Sequence, residues 1–390
     1  MEEKRNLYPI KFIPVAEKKP WGGSALIKGL GKEFTECDKD GNEVKLTEKD
    51  HIGESWELAD MGFIDSVVSN GWLAGNTFGE IMETYIERIA GEDVFQHYGR
   101  QFPVLVKFLD IHGSTSVQVN PDDEVAEQRY DALGKCKLWY VMEAAPEAVI
   151  YTGFTKDIPA MELYERCMDG SITEVMNAVH PRKGDSLLIR PGTVHSAGGG
   201  LLIAEIQESS DLTFRLYDQG RENDPQTARP MHLVEAFDFI DMGRYDGSDY
   251  RKGPLWDDRS HGGCREEGRQ VTEELASVPQ FTVSEMEVRE PLKISSGHSG
   301  NFLIYVCVDG EAVIQVPSRD GHPGECRIRK GETVLVPADL QDFFIIPTER
   351  ETRLLEVMME HREETDSYIN PDTEPYLEGE DYGGLENGEE

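Results

Sequence analysis

Gln118 and Asn120 stand two residues apart in the alternating run Ser116-Val-Gln-Val-Asn-Pro. On a strand, that spacing turns both side-chain amides to one side. His195 ends Pro191-Gly-Thr-Val-His, a turn behind another strand-like run, with Gly198-Gly-Gly just beyond it. Donors at alternate positions of one strand and a histidine from a neighbour form a set by which a small β-barrel can hold a metal ion. The other nine histidines (51, 97, 112, 180, 232, 261, 298, 322, 361) make no HxH or HxxxH pair, and the six cysteines make no CxxC. His112, in a turn after Asp110, is not assigned as a ligand, and Gly198–Gly200 completes no phosphate-loop pattern.

The elements that would carry these residues are short β-rich runs bounded by Gly, Pro, Asp or Asn: 103–110, 116–119, 138–142, 148–152, 186–189, 201–206 and 213–217. Such punctuation suits antiparallel structure. Apolar residues at helical spacing predict a helix over 78–90, with shorter ones over 122–133, 159–168 and 172–179. An internal repeat organises the whole. Lys183-Gly-Asp-Ser-Leu-Leu-Ile and Lys330-Gly-Glu-Thr-Val-Leu-Val share one pattern of turn glycine, strand and proline-led turn. The expectation is a mainly β chain of two jelly-roll barrels, the first elaborated with helices. In the second copy Gln341 stands where His195 stands in the first, so the scaffold persists without the histidine.

Composition narrows the function classes. The 390 residues carry 75 acidic and 39 basic side chains, a net charge of −36. Neutralising a nucleic acid backbone needs a basic face, so no nucleic acid partner is expected. No run of 18 apolar residues occurs and no signal-like segment opens the chain, so no membrane is expected either. Scattered cysteines read as the reduced thiols of a cytoplasmic protein. Residues 362–390 are acidic and poor in apolar groups, the composition of a disordered tail.

The motifs Trp21-Gly-Gly, Gly53-Glu-Ser-Trp, Phe102-Pro-Val-Leu-Val-Lys-Phe-Leu, Ser116-Val-Gln-Val-Asn-Pro-Asp-Asp, Gly134-Lys-Cys-Lys-Leu-Trp-Tyr, Pro191-Gly-Thr-Val-His and Phe214-Arg-Leu-Tyr-Asp occur in this order. In this the chain resembles the type I mannose-6-phosphate isomerases of the cupin superfamily. The resemblance implies a catalytic-type cupin over 1–240, a connection over 241–278 and a second cupin-like domain over 279–361. It also implies a zinc site in the first barrel and interconversion of mannose 6-phosphate with fructose 6-phosphate.

Carried over residue by residue, the resemblance gives Gln118, Asn120, Lys137 and His195 as the zinc-ligand positions. Two depart from the family pattern: Asn120 stands where a histidine is usual and Lys137 where a glutamate is usual. An ammonium repels a cation, and amide oxygens are weak neutral donors, so tight zinc binding in the usual mode is not expected. Lys137 is expected to pair with Glu205, either as a charge that polarises the substrate or as a mere neutraliser of that carboxylate. The resemblance puts Lys135 and Arg215 near the substrate, as point charge and planar fork for phosphate or an enediolate. Lys135, Glu205 and Asp218 are candidate bases, Asp218 equally a scaffold ion pair, while Trp56 and Trp139 are assigned to packing. Three activities are compatible with such a pocket: an isomerase with an altered metal site, a non-catalytic sugar-phosphate-binding cupin, and a different sugar transformation in the same barrel.

Overall fold

Three neighbouring strands, Val104–Ile111, Leu201–Glu208 and Lys137–Ala144, are buried along nearly their whole length. Alternation sorts their side chains onto two faces. Val104, Val106, Phe108, Leu138, Tyr140, Met142, Leu202, Ala204 and Ile206 join a large apolar core. Their neighbours in sequence, among them Lys107, Lys137, Trp139 and Glu205, point the other way, into the barrel.

The computed structural model describes residues 5–253, 270–295, 300–317 and 324–359. The expected tail over 362–390 and the central part of the expected connection, 254–269, lie outside the described residues. The chain is mainly β. In the first unit, one sheet orders its strands Tyr250–Arg251, Ser186–Ile189, Lys137–Ala144, Leu201–Glu208, Val104–Ile111, Val15–Gly23 and Ile52–Leu58. The facing sheet runs Met176–Val179, Val149–Phe154, His195–Gly198, Val117–Val119 and Phe214–Tyr217. In the second unit the sheets run Gln270–Val278, Phe281–Val288, Thr352–Met358, Leu303–Asp309, Thr333–Val336 and Leu292–Ser295, Asp342–Pro347, Glu311–Val316, Gly324–Arg329.

The repeat seen in the sequence extends into three dimensions. Ser186–Ile189 pairs with Lys137–Ala144 as Thr333–Val336 pairs with Leu303–Asp309, and each partner strand lies beside the central strand of its sheet. Both repeat turns need a left-handed residue, supplied by Gly184 (φ 91°) and Gly331 (φ 83°). The lysines before these glycines reach across to the other unit: Lys183 meets Asp309 at 2.6 Å and Lys330 meets Glu143 at 2.7 Å. Glu143 and Asp309 occupy equivalent strand positions, so the two bridges are reciprocal. Between them the outer faces of the large sheets share one core, with the rings of Phe102 and Phe302 4.5 Å apart.

Most expected elements recur with shifted ends. The helix over 78–90 is Phe78–Ile89, opened by a capping box between Thr77 and Glu80. The strand Gln270–Val278 pairs within the second unit's sheet although it lies inside the connection expected over 241–278. One expected helix also fails. Residues 172–179 form a short 3-10 turn, Ile172–Val175, followed by the strand Met176–Val179. The edge of Val149–Phe154 offers that segment a backbone ladder, and Asn177 adds a bond to the Thr152 carbonyl. Sheet pairing outweighs so short a helical pattern. Among the described residues no helix is long and apolar enough to cross a membrane.

Candidate functional site

Inside the first barrel the alternation that fills the core elsewhere brings charges together. Lys107 and Glu205 are cross-strand partners, as are Glu205 and Trp139. They open on a cavity whose described wall carries six cationic side chains, Lys19, Lys107, Lys135, Lys137, Arg215 and Arg229, against the carboxylates of Glu54, Glu205 and Asp211. In a chain of net charge −36 this is a local reversal of sign.

Three of the lysines are almost wholly buried: Lys107, Lys135 and Lys137 are 2–3% exposed. Buried ammonium groups are costly unless paired and hydrogen-bonded. Here the pairing is loose. Lys107 Nζ lies 3.5 Å from Glu54 and 4.0 Å from Asp211, Lys135 Nζ 3.9 Å from Asp211, and Lys137 Nζ 3.9 Å from Glu205. The buried Lys32–Glu57 pair elsewhere closes to 2.8 Å. Lys107 also stands 3.8 Å above the Trp56 ring, a cation–π contact. Trp139 donates its indole N–H to Glu205 at 2.6 Å. Both tryptophans, assigned to packing from the sequence, thus also touch the charged cluster.

The proton affinities follow from burial and neighbours. Desolvation, reinforced by Lys107 and Lys137, brings Lys135 down to about 7. Lys137 is also lowered by burial, opposed first by Glu205. Burial would lower Lys107 too, but Glu54, Glu205 and Asp211 together hold it above its ordinary value. Burial would raise Glu54, yet Lys107 and Lys19 outweigh it and bring that carboxyl to about 2.

The loop bearing Lys135 is fixed from both sides. Asp122 caps the helix Asp123–Tyr130, Asp123 accepts from the Gly134 amide, and Glu208 accepts from the Cys136 amide at 2.6 Å. Burial, with Asp123 beside it, pushes Glu208 well above the ordinary carboxyl range. Lys135 itself donates to Thr213 Oγ1 at 3.3 Å.

At the cavity rim, half-buried Arg215 donates to the Pro230 carbonyl, and its Nε has no hydrogen-bond partner among the described residues. Asp218 is fully buried between Arg221 and Arg229, at 2.6 and 2.5 Å. Burial would raise its carboxyl, but the two guanidiniums hold it below its ordinary value. A carboxylate so engaged is an anchor for Arg229, and it leaves the set of candidate bases.

Of the zinc-ligand positions, Gln118 and Lys137 line the cavity, whereas His195 and Asn120 lie behind its wall. His195 is fully buried, with Nδ1 2.9 Å from the Thr193 carbonyl and Nε2 3.2 Å from Gln118 Nε2. Those contacts assign the proton to Nδ1 and leave Nε2 accepting from the Gln118 amide. Desolvation, and then Lys137, hold this imidazole well below its ordinary value, hence neutral. Asn120 donates to the Leu212 carbonyl at 2.8 Å, and its Oδ1 has no partner among the described residues.

This donor set does not fit zinc. It offers one imidazole nitrogen already engaged by an amide, two neutral amides, and an ammonium in place of an anionic ligand. Among the described residues no group of three His, Cys, Asp or Glu gathers that could hold a metal. Arg215, Lys135 and Glu205 do share the cavity wall. Lys107, absent from the candidates drawn from the sequence, carried one signal there, a charge at an inward phase of an apolar strand.

Comparison with known proteins gives a consistent picture. A family model described as phosphomannose isomerase type I, catalytic domain, matches residues 10–153, and one described as mannose-6-phosphate isomerase, cupin domain, matches 271–348. Mannose-6-phosphate isomerase ManA of Bacillus subtilis is 33% identical over 235 residues, covering 60% of this chain and 68% of that protein. The probable mannose-6-phosphate isomerase GmuF of the same organism is 30% identical over 243 residues, covering 61% of this chain and 70% of its own. A crystal structure of the mannose 6-phosphate isomerase from Bacillus subtilis shares the fold with a TM-score of 0.72 at 24% identity, over 90% of this chain and 100% of that one.

Proposed function

The chain belongs to the type I phosphomannose isomerase family, and we propose on that premise that it binds a hexose 6-phosphate in the lysine-walled cavity and interconverts mannose 6-phosphate and fructose 6-phosphate there. The observation that carries this reading is the loose pairing of Lys107, Lys135 and Lys137. Charge-assisted hydrogen bonds close to roughly 2.7–2.9 Å. Ammonium groups 3.5–4.0 Å from their carboxylates retain donors for the oxygens of an anionic ligand. A positive cavity in an acidic protein also concentrates anions from solution.

In this reading residues 1–240 are the catalytic-type unit and 362–390 an acidic tail, in a cytoplasmic enzyme; the cupin-like partner expected over 279–361 takes in the strand Gln270–Val278 as well, which shortens the connection expected over 241–278. Arg215 and Arg229, both on the cavity wall, receive the phosphate at the rim. Lys135 serves as the base. An amine near 7 is partly neutral at physiological pH, which suits proton transfer in both directions. Its nitrogen takes the proton from C2 of the open-chain aldose. The C–H electron pair becomes the C1–C2 double bond, and the carbonyl pair moves onto O1. After a proton passes from O2 to O1, Lys135 returns its proton to C1 and a carbonyl forms at C2. Glu205, held by Trp139, positions Lys137 beside this path. No step is assigned to zinc, because the donors do not fit it.

A coupled assay on mannose 6-phosphate and on unphosphorylated mannose tests the proposal. Turnover confined to the phosphorylated sugar, with KM raised ~10–100-fold in Arg215→Ala, is the expected result. Tight binding without conversion would leave a sugar-phosphate-binding protein that is not an isomerase. No binding at all would end the reading.

A further inference from the structure

We propose that the Lys137 ammonium is the fixed cation that touches the sugar's reacting oxygen, so that this pocket works without a divalent metal. The inference rests on the hexose 6-phosphate reading and deepens it. Three observations carry it. Lys137 occupies a family metal-ligand position and is itself on the cavity wall, 2% exposed. The other donors of that set are poorly suited to a cation: His195 Nε2 meets the Gln118 amide, and Asn120, held through its amide nitrogen by Leu212, offers only a neutral amide oxygen. Finally, Lys137 is held in place rather than neutralised at close range. Its strand pairs it with Ile189 on one side and Gln207 on the other, Glu205 faces it at 3.9 Å, and the Trp139 ring centroid lies 5.7 Å away.

A single positive charge fixed in a low-dielectric cavity can do part of what a metal does. As the C2 proton leaves and the carbonyl pair moves onto O1, an ammonium N–H within hydrogen-bond reach stabilises the enediolate oxygen without reorganising. Atoms and electrons balance within the sugar and the proton-carrying base, and no oxidant or reductant enters. Glu205 then has a definite part as a positioning residue: it keeps the ammonium aimed while standing too far off to quench its donors.

The test uses the full chain, stripped with a strong chelator and checked by elemental analysis, with fructose 6-phosphate titrated by calorimetry and isomerisation followed in parallel. Metal-free protein should bind and turn over undiminished. Lys137→Met should weaken fructose 6-phosphate binding ~10-fold and turnover ~100-fold, the size expected for a lost charge-assisted hydrogen bond that strengthens in the transition state. The double variant Lys137→Met, Glu205→Gln removes the carboxylate left unpaired and guards against misfolding; it should remain as weak as the single variant. If the double variant recovers wild-type binding, Lys137 merely neutralises Glu205 and the inference falls. Stoichiometric zinc whose removal abolishes binding or turnover, restored on adding zinc, would also overturn it while leaving the isomerase reading intact. Chelator-resistant, Lys137-dependent binding with no turnover would instead uphold the cation's role and remove the isomerase activity.

Discussion

The two barrels bury the same pair of groups and put it to different use. In the first, Trp139 donates to Glu205 at 2.6 Å; in the second, Tyr305 donates to Glu356 at 2.6 Å, at the equivalent positions of the equivalent strands. Around Glu205 stand Lys107 as its cross-strand partner and Lys137 two residues before the aromatic. Around Glu356 those places hold Ser284 and Leu303. The carboxyl of Glu356, facing no cation there, is pushed up by burial, against a smaller opposing effect of the Tyr305 hydroxyl. The second interior is filled largely by apolar side chains, Met286, Val288, Cys307, Ile314 and Phe343 among others. A cupin-like sheet therefore tolerates an aromatic–carboxyl pair as plain structure, and the inward lysines are what make one copy a candidate site.

The most severe way to break the comparison is to write the second barrel into the first. Lys107→Ser with Lys137→Leu should reduce fructose 6-phosphate affinity by ~10³-fold, as two buried charge contacts are lost together. Calorimetry measures this, and a thermal melt checks that the variant folds. Retained affinity would show that the lysines are scaffold, like their counterparts. The converse change restores the donors usual in the family. Asn120→His with Lys137→Glu supplies an imidazole and a carboxylate beside His195, and elemental analysis should find about one zinc per chain. No uptake would mean that the burial of His195 and the turn of residue 120 toward Leu212 persist after substitution.

A smaller effect is read from pH. With Lys135 lowered to about 7 and acting in its neutral form, kcat/KM should fall ~10-fold per pH unit below that value and level off above it. A flat profile between pH 5.5 and 8 would remove Lys135 as the base. The smallest effect belongs to the second barrel. Glu356 binds its proton more tightly folded than unfolded, so its contribution to stability is present at low pH and is lost as pH rises above the ordinary carboxyl value. Glu356→Gln should therefore narrow the difference in Tm between pH 5 and pH 8, by ~2–4 °C, with sugar-phosphate binding unchanged. Altered binding would tie the second barrel to the site.

Much of this was legible in the residues. The strand Ser186–Ile189 follows from its turn glycine and short apolar run, and its more β-branched copy at Thr333–Val336 from the repeat. The approach of Lys137 to Glu205 was expected and is observed at 3.9 Å. Other features were hidden by long-range pairing. Residues 172–179 carry a local helical pattern that only the edge of Val149–Phe154 overrides. The part played by Trp139 depends on Glu205, 66 positions away in sequence, lying opposite it across the strand pair. The retreat of His195 and Asn120 behind the wall is set by Gln118 and Leu212, which no motif spacing encodes.

One preparation decides the central claim: purified full-length chain, its metal content measured on the same sample used for a coupled assay with mannose 6-phosphate. The account predicts conversion to fructose 6-phosphate at a metal content far below one per chain. Conversion that scales with bound zinc and vanishes when it is removed would contradict it.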